Sequence, residues 1–82
     1  MYKLKLLNLK IPADIKGFTL LNQAIQLYEP SMRIMELYRQ LAEDNNDTPS
    51  RVERAMRHAI SRAGIDMTNG NFIATYQILW SK

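Results

Sequence analysis

Eighty-two residues, 46% of them apolar, point to one small domain whose core buries about two-thirds of the surface its unfolded chain exposes. Cysteine is absent, which excludes disulfide staples and thiolate metal sites and agrees with a reducing cytoplasm. No apolar run reaches the roughly 20 residues of a membrane span, no secretory leader is legible, and the expectation is a cytoplasmic protein with no membrane partner.

The net charge of +3 is unevenly spread. Residues 49–62 hold Arg51, Arg54, Arg57 and Arg62 against Glu53, and the N-terminal stretch holds Lys3, Lys5, Lys10 and Lys16 against Asp14. Between them lie Glu29, Glu36, Glu43, Asp44 and Asp47, with only Arg33 and Arg39 to offset them. Two basic segments around an acidic one are the electrostatic footprint of a polyanion partner, against the plainer reading of a solvated helix surface.

In chain order, residues 2–10 are ambiguous. Tyr2, Leu4 and Leu6 alternate as in a strand, whereas Leu6, Leu7 and Leu9 share a helical face. Pro12 biases Ile11 toward extended backbone and ends whatever precedes it; a short helix is the favoured reading. Residues 14–28 read as the first long helix, with Phe18, Leu21, Ala24, Ile25 and Tyr28 on one face and Asp14 as N-cap. Gly17 falls in its early turns, either as a point of close approach or as a frayed start. Glu29-Pro30-Ser31 breaks the chain, and Ser31 is placed to cap a helix over residues 32–44. Ile34, Leu37, Tyr38 and Leu41 form its stripe, with Ala42 beside it. Asp44-Asn45-Asn46-Asp47 is a turn of side chains that compete with the backbone and accept left-handed geometry.

Residues 48–62 carry the strongest signal. Thr48 can cap a helix with its hydroxyl, and Pro49 then occupies the first helical position, where a missing N–H costs nothing. Val52, Ala55, Met56, Ala59 and Ile60 make an apolar stripe, while Ser50, Arg51, Glu53, Arg54, Arg57, His58 and Ser61 lie off it. Gly64 stops the helix in a left-handed cap. Residues 67–70 read as a loop and residues 71–80 as a last helix with Phe72, Ile73, Tyr76, Leu79 and Trp80 on one face. Trp80 either packs the core or marks an interface. The fold class is therefore all-α: a small domain of about five helices containing a helix-turn-helix.

The helix–turn–helix reading rests on the short connection between the helices ending near Asp44 and starting at Thr48. Ala42 supplies the small side chain that lets two helices cross closely, and Val52 and Ala55 supply the facing residues. Asn46 stands in the turn where a glycine is usual. The second helix of such a motif lies in the major groove and contacts bases through its N-terminal part. Arg51 and Arg54, one turn apart, are placed to pair with guanine. Glu53 is placed either to accept from a cytosine amino group or to pair with Arg57 four residues on. Ser50 at the helix start, and Arg57, His58 and Arg62 further along, suit phosphate contacts; the plain alternative for His58 is a surface histidine. No cofactor or metal is expected, since His58 has neither a second His nor a Cys to join it. Nor is an enzyme expected, for no carboxylate pair or nucleophile–base pair has a recognisable spacing.

Ser50-Arg51-Val52-Glu53-Arg54-Ala55-Met56-Arg57-His58-Ala59-Ile60 resembles the recognition helix of the C-terminal effector domain of the master sporulation response regulator, stage-zero sporulation protein A. Ile11-Pro12-Ala13-Asp14-Ile15-Lys16-Gly17-Phe18 resembles the opening of the same domain. Leu37-Tyr38 with Leu41-Ala42 is similar to its first motif helix, and Asn71-Phe72-Ile73-Ala74 to its last helix. The resemblance implies a sequence-specific transcription regulator that binds double-stranded DNA as a tandem homodimer and contacts RNA polymerase. It places the family's base and phosphate contacts on Ser50, Arg51, Glu53, Arg54, Arg57 and His58, and suggests a backbone contact for Lys16. The family's regulator carries a phosphorylated receiver domain ahead of this module; here residues 1–82 are read as a single effector-type domain without it. The first helix and the loop over residues 64–70 look shorter than the family's, and Arg39-Gln40 replaces its usual Pro-Asp. These departures motivate an alternative: an interaction module that modulates a full-length regulator without touching DNA.

Overall fold

Among the described residues, three with positive φ punctuate the chain: Lys10 at 72°, Asn46 at 54° and Gly64 at 75°. Each follows a helix whose last carbonyls it helps to satisfy. After Gly64, the N–H of Ile65 reaches back to the Ile60 carbonyl and that of Gly64 to Ser61. After Asn46, the N–H of Asp47 bonds Ala42 at 2.8 Å and that of Asn46 bonds Glu43. Lys10 closes the first helix in the same way, through Ile11 to Leu6 and Lys10 to Leu7. Gly64 takes this geometry freely and Asn46 tolerates it, whereas the Lys10 Cβ carries a cost of about 1 kcal/mol.

The computed structural model describes residues 2–80, and between these stops it forms α1 (Lys3–Asn8), α2 (Lys16–Leu27), α3 (Ile34–Asp44), α4 (Pro49–Arg62) and α5 (Asn69–Trp80). The all-α expectation of five helices holds, and the ambiguous start is a helix. Two expected caps are not used. α2 begins one residue after Ile15, with no side-chain cap, because the chain is still turning through Ala13 and exposed Asp14. α3 begins after Arg33 rather than after Ser31: residues 29–32 close a turn through the Met32 N–H and the Glu29 carbonyl. Glu36 Oε1 then accepts the Arg33 N–H at 2.9 Å.

α2 is the central element, in contact with each of the other four helices. That surround explains why Leu20 and Asn22 are buried along with the predicted Phe18, Leu21, Ala24 and Ile25. Asn22 Oδ1 accepts the N–H of Tyr2 at 3.1 Å, so this buried amide ties α1 to α2. α2 meets α4 most extensively, at Gly17. A Cβ on Gly17 would lie 2.3 Å from the Ala55 carbonyl oxygen and 2.6 Å from the Ala59 Cβ. Gly17 is thus a point of close approach and not a frayed start.

α5 closes the domain. Phe72 and Ile73 are fully buried, and the rings of Phe72, Tyr76 and Trp80 meet in tilted contacts at one-turn intervals with centroids 4.7 and 4.8 Å apart. Tyr2 stacks on Trp80 at 5.8 Å, with Lys5 over the same ring. Trp80 therefore packs against α1. Leu79, expected on the inner face, is instead 62% exposed. Gln77 Nε2 donates to the carbonyls of Ile25 and Tyr28, fastening α5 to the end of α2.

Replacing Gly17 with Ala should destabilise the domain by about 1–3 kcal/mol, because backbone rather than a flexible side chain blocks the new methyl. Gly70→Ala should be neutral or stabilising, since its Cβ would meet only the Ile34 Cδ1 at 3.9 Å. Urea unfolding of the two variants beside the parent chain checks the contrast.

Candidate functional site

α4 has the bounds its sequence signals demand. Thr48 Oγ1 accepts the Arg51 N–H at 3.3 Å, and Pro49 opens the helix. Val52, Met56, Ala59 and Ile60 are buried, which turns Ser50, Arg51, Arg54, Arg57, His58, Ser61 and Arg62 outward together. Ala55, expected inside beside Val52, is half-buried at the edge of the stripe, where its carbonyl faces Gly17. Fourteen residues make a rod about 21 Å long. Arg54 lies near the middle of the exposed arc, with Arg51 and Arg62 on one flank and Glu53 and Arg57 on the other.

The arginines differ in their restraints. Arg57 Nε lies 3.1 Å from Glu53 Oε2, so the ion pair between these residues is formed. Arg51 approaches Asp47 Oδ1 at 3.9 Å, an attraction without a hydrogen bond. Arg54, His58 and Arg62 have no ion-pair partner among the described residues. Lys16 is brought to the same end of α4 from the start of α2, where its Nζ donates to Asp47 Oδ2. Asp47 also accepts the Thr48 N–H at 2.8 Å through Oδ1. The bond from Lys16 and that from the Thr48 amide, with the nearby charges of Lys16 and Arg51, hold the Asp47 carboxyl below the usual carboxylate range.

The turn before α4 is braced from α2 as well. Asn45 Nδ2 donates to Gln23 Oε1 at 2.8 Å and to the Leu41 carbonyl at 2.7 Å. The other edge of α4 is held by Asn69, at the start of α5. Its Nδ2 donates to the Glu53 carbonyl at 3.0 Å and to the Tyr38 hydroxyl at 3.1 Å, so one buried amide joins α3, α4 and α5. Burial pushes the Tyr38 hydroxyl above the ordinary tyrosine range, with the bond from Asn69 opposing the shift. Thr68 Oγ1 accepts the Asn71 N–H at 3.2 Å, a cap that starts α5 at Asn69, inside the stretch expected to be a loop. An open groove of about 630 Å³ runs beside this junction, lined in part by Ile34, Tyr38, Glu53, Arg57 and Met67.

Sequence reasoning missed Asp47 and Asn69 as organising residues. Asp47 had a local signal, an acid four residues before Arg51. Its bond to Lys16 spans 31 residues, as does that of Asn69 to Tyr38, and no local pattern announces either. Among the described residues no three His, Cys, Asp or Glu side chains gather as a metal site would require, and no helix is long and apolar enough to cross a membrane. The family model for the sporulation initiation factor Spo0A C terminal matches residues 3–77, a span that takes in every helix, all but the last turn of α5 included.

Stability should depend on pH through Asp47. Its carboxyl is lowered in the folded state, so its contribution is complete above the unfolded value of about 3.9 and disappears as pH falls through the folded value. Asp47→Asn should therefore be less stable than the parent at neutral pH, and the two should converge in strong acid. Thermal unfolding of both chains from pH 7 downward measures this; parallel curves would rule it out.

Proposed function

The chain belongs to the family of the Spo0A C-terminal domain, and on that premise we propose that it is a sequence-specific DNA-binding domain of a sporulation-type transcription regulator, with α4 seated in the major groove. The observation that carries this reading is the outward arc of α4: a capped, four-turn helix whose arginines project together on the side opposite its buried stripe. A helix of this width fits a groove about 12 Å wide. Arg54 and Arg51 are assigned to guanine edges, the first at the centre of the arc and the second over the first turn. Glu53 is assigned to a cytosine amino group, its pair with Arg57 opening or being shared on DNA. Ser50, Arg57, His58, Arg62 and Lys16 are assigned to the phosphates that flank the groove. Side-by-side pairing of two copies on repeated sites and contact with RNA polymerase rest on family membership alone.

A second reading is an interaction module that modulates a full-length regulator. It is favoured by Leu4, Leu7 and Leu79, which stand 76%, 44% and 62% exposed on α1 and α5. Co-purification with such a regulator, with no shift of any duplex at low salt, would select it over DNA binding.

Titration of duplexes selected from a random pool tests the first reading. Arg54→Ala should weaken the preferred duplex by about 1–3 kcal/mol and relax one base position. Affinity should also fall steeply with salt as phosphate counterions are released. An Arg54→Ala chain with unchanged affinity and unchanged preference would remove α4 as the reading helix.

A further inference from the structure

Asp47 stands where three elements meet: the start of α2, the turn after α3 and the first turn of α4. Its side chain is only 4% exposed, yet both carboxylate oxygens are engaged, one by Lys16 and the other by the Thr48 amide. A carboxylate bonded on both sides has a fixed direction. The Arg51 guanidinium, 77% exposed, lies 3.9 Å from Oδ1. That distance biases the side chain toward the turn while leaving its donors unspent. The other outward arginines differ: Arg57 is ion-paired with Glu53, and Arg54 has no carboxylate partner among the described residues. Arg51 is thus the one arginine of this face steered by a carboxylate that is itself immobilised.

We propose that Asp47 is a specificity-determining positioning residue for DNA recognition, acting on Arg51 and Lys16 and touching no base itself. The inference rests on the DNA-binding reading. Two consequences follow from the geometry. A phosphate arriving at the first turn of α4 meets the Asp47 charge and must compete with it for Lys16, which penalises contact with any backbone whatever its sequence. Arg51, biased toward the turn, has less rotamer freedom to give up on reaching a guanine edge, which favours the right base. Asp47 therefore raises discrimination by lowering indiscriminate affinity and by pre-orienting one reader.

The test uses the whole chain and two duplexes, the preferred one from a random-pool selection and a shuffled one, titrated across a range of salt. Asp47→Asn keeps an oxygen for the Thr48 amide and removes the charge. It should bind the shuffled duplex several-fold more tightly, with a salt slope steeper by about one unit, as expected for one further phosphate contact. The ratio of preferred to shuffled affinity should fall about tenfold, the worth of one weakened base contact. In an Arg51→Ala background the same substitution should leave that ratio where Arg51→Ala alone puts it. A folded Asp47→Asn chain of lowered Tm but unchanged ratio and slope would overturn the proposal and leave Asp47 a structural residue. A fall in ratio that persists without Arg51 would overturn the route through Arg51. Lys16→Met supplies an independent check should Asp47→Asn fail to fold. With one of its two bonds gone the carboxylate steers Arg51 less firmly, so shuffled binding should weaken by the lost cation while the ratio falls; a ratio that holds or rises would overturn the proposal. The parent chain separates the two levels of inference. A parent with no preference between the duplexes removes the DNA reading and this proposal together, whereas a parent with a clear preference and variants that keep it removes this proposal alone.

Discussion

The missing side chain at Gly17 sets the distance between α2 and α4, and much else in the domain depends on that distance. The Ala55 carbonyl and the Ala59 methyl occupy the space a Cβ would need, so the two backbones lie in direct contact. α2 touches every other helix, which makes its separation from α4 the reference for the whole core. With the crossing this close, Val52, Met56, Ala59 and Ile60 are fully buried, and the arc of α4 that remains outside is settled by subtraction. Lys16, the residue before Gly17, is carried by the same approach to the turn ahead of α4. The tight crossing and the charged cluster beside it are consequences of one packing event.

Polar side chains finish what apolar packing begins. Asn22, Asn45, Asn69 and Gln77 each bridge elements that hydrophobic contact alone would leave free to slide. Amides that are buried, as Asn22 and Asn69 are, or half-buried, as Asn45 and Gln77 are, serve this purpose because an unmade hydrogen bond costs more than a made one gains. Asn69 is the most consequential, since it fixes the middle of α4 by the Glu53 carbonyl and leaves the Glu53 side chain free to pair with Arg57. The N-terminal half of α4 is therefore held from two sides, by Asp47 before its first turn and by Asn69 at the Glu53 carbonyl, while its outward arginines remain exposed.

The restraints across that face are graded. One arginine is ion-paired with a neighbour, one is steered at a distance, and Arg54 is left to solvent among the described residues. Exposed ion pairs contribute little to stability, so their value lies in which donors they occupy and which they leave available. On the proposed reading, this grading assigns different tasks to side chains that composition treats as equal. Membership of the Spo0A C-terminal family supplies the kind of partner, and the grading supplies the division of labour.

Much of the fold was legible along the chain. Thr48 and Pro49 determine where α4 starts, Gly64 where it stops, and Asn46 the left-handed turn before it, because caps and positive φ depend on the residues at those positions and their immediate neighbours. The periodicity of residues 52–60 likewise separates the inner from the outer face of α4. Periodicity reports a residue's direction about its own helix axis, however, and says nothing of what another helix brings to that side. Whether Gly17 was a contact or a frayed end, and whether Glu53 was paired, were open for that reason. The burial of Leu20, the exposure of Leu79 and the bond from Lys16 to Asp47 were not legible at all. Each is decided by what distant segments do or do not bring to the site: four surrounding helices for Leu20, the lack of cover over Leu79, the α2–α4 crossing for Lys16. The sequence by itself determined the all-helical class, the bounds of α4 and its basic arc; only the tertiary structure decided how closely α4 is held and which of its charges are already engaged, since those depend on distances between segments that only packing can set.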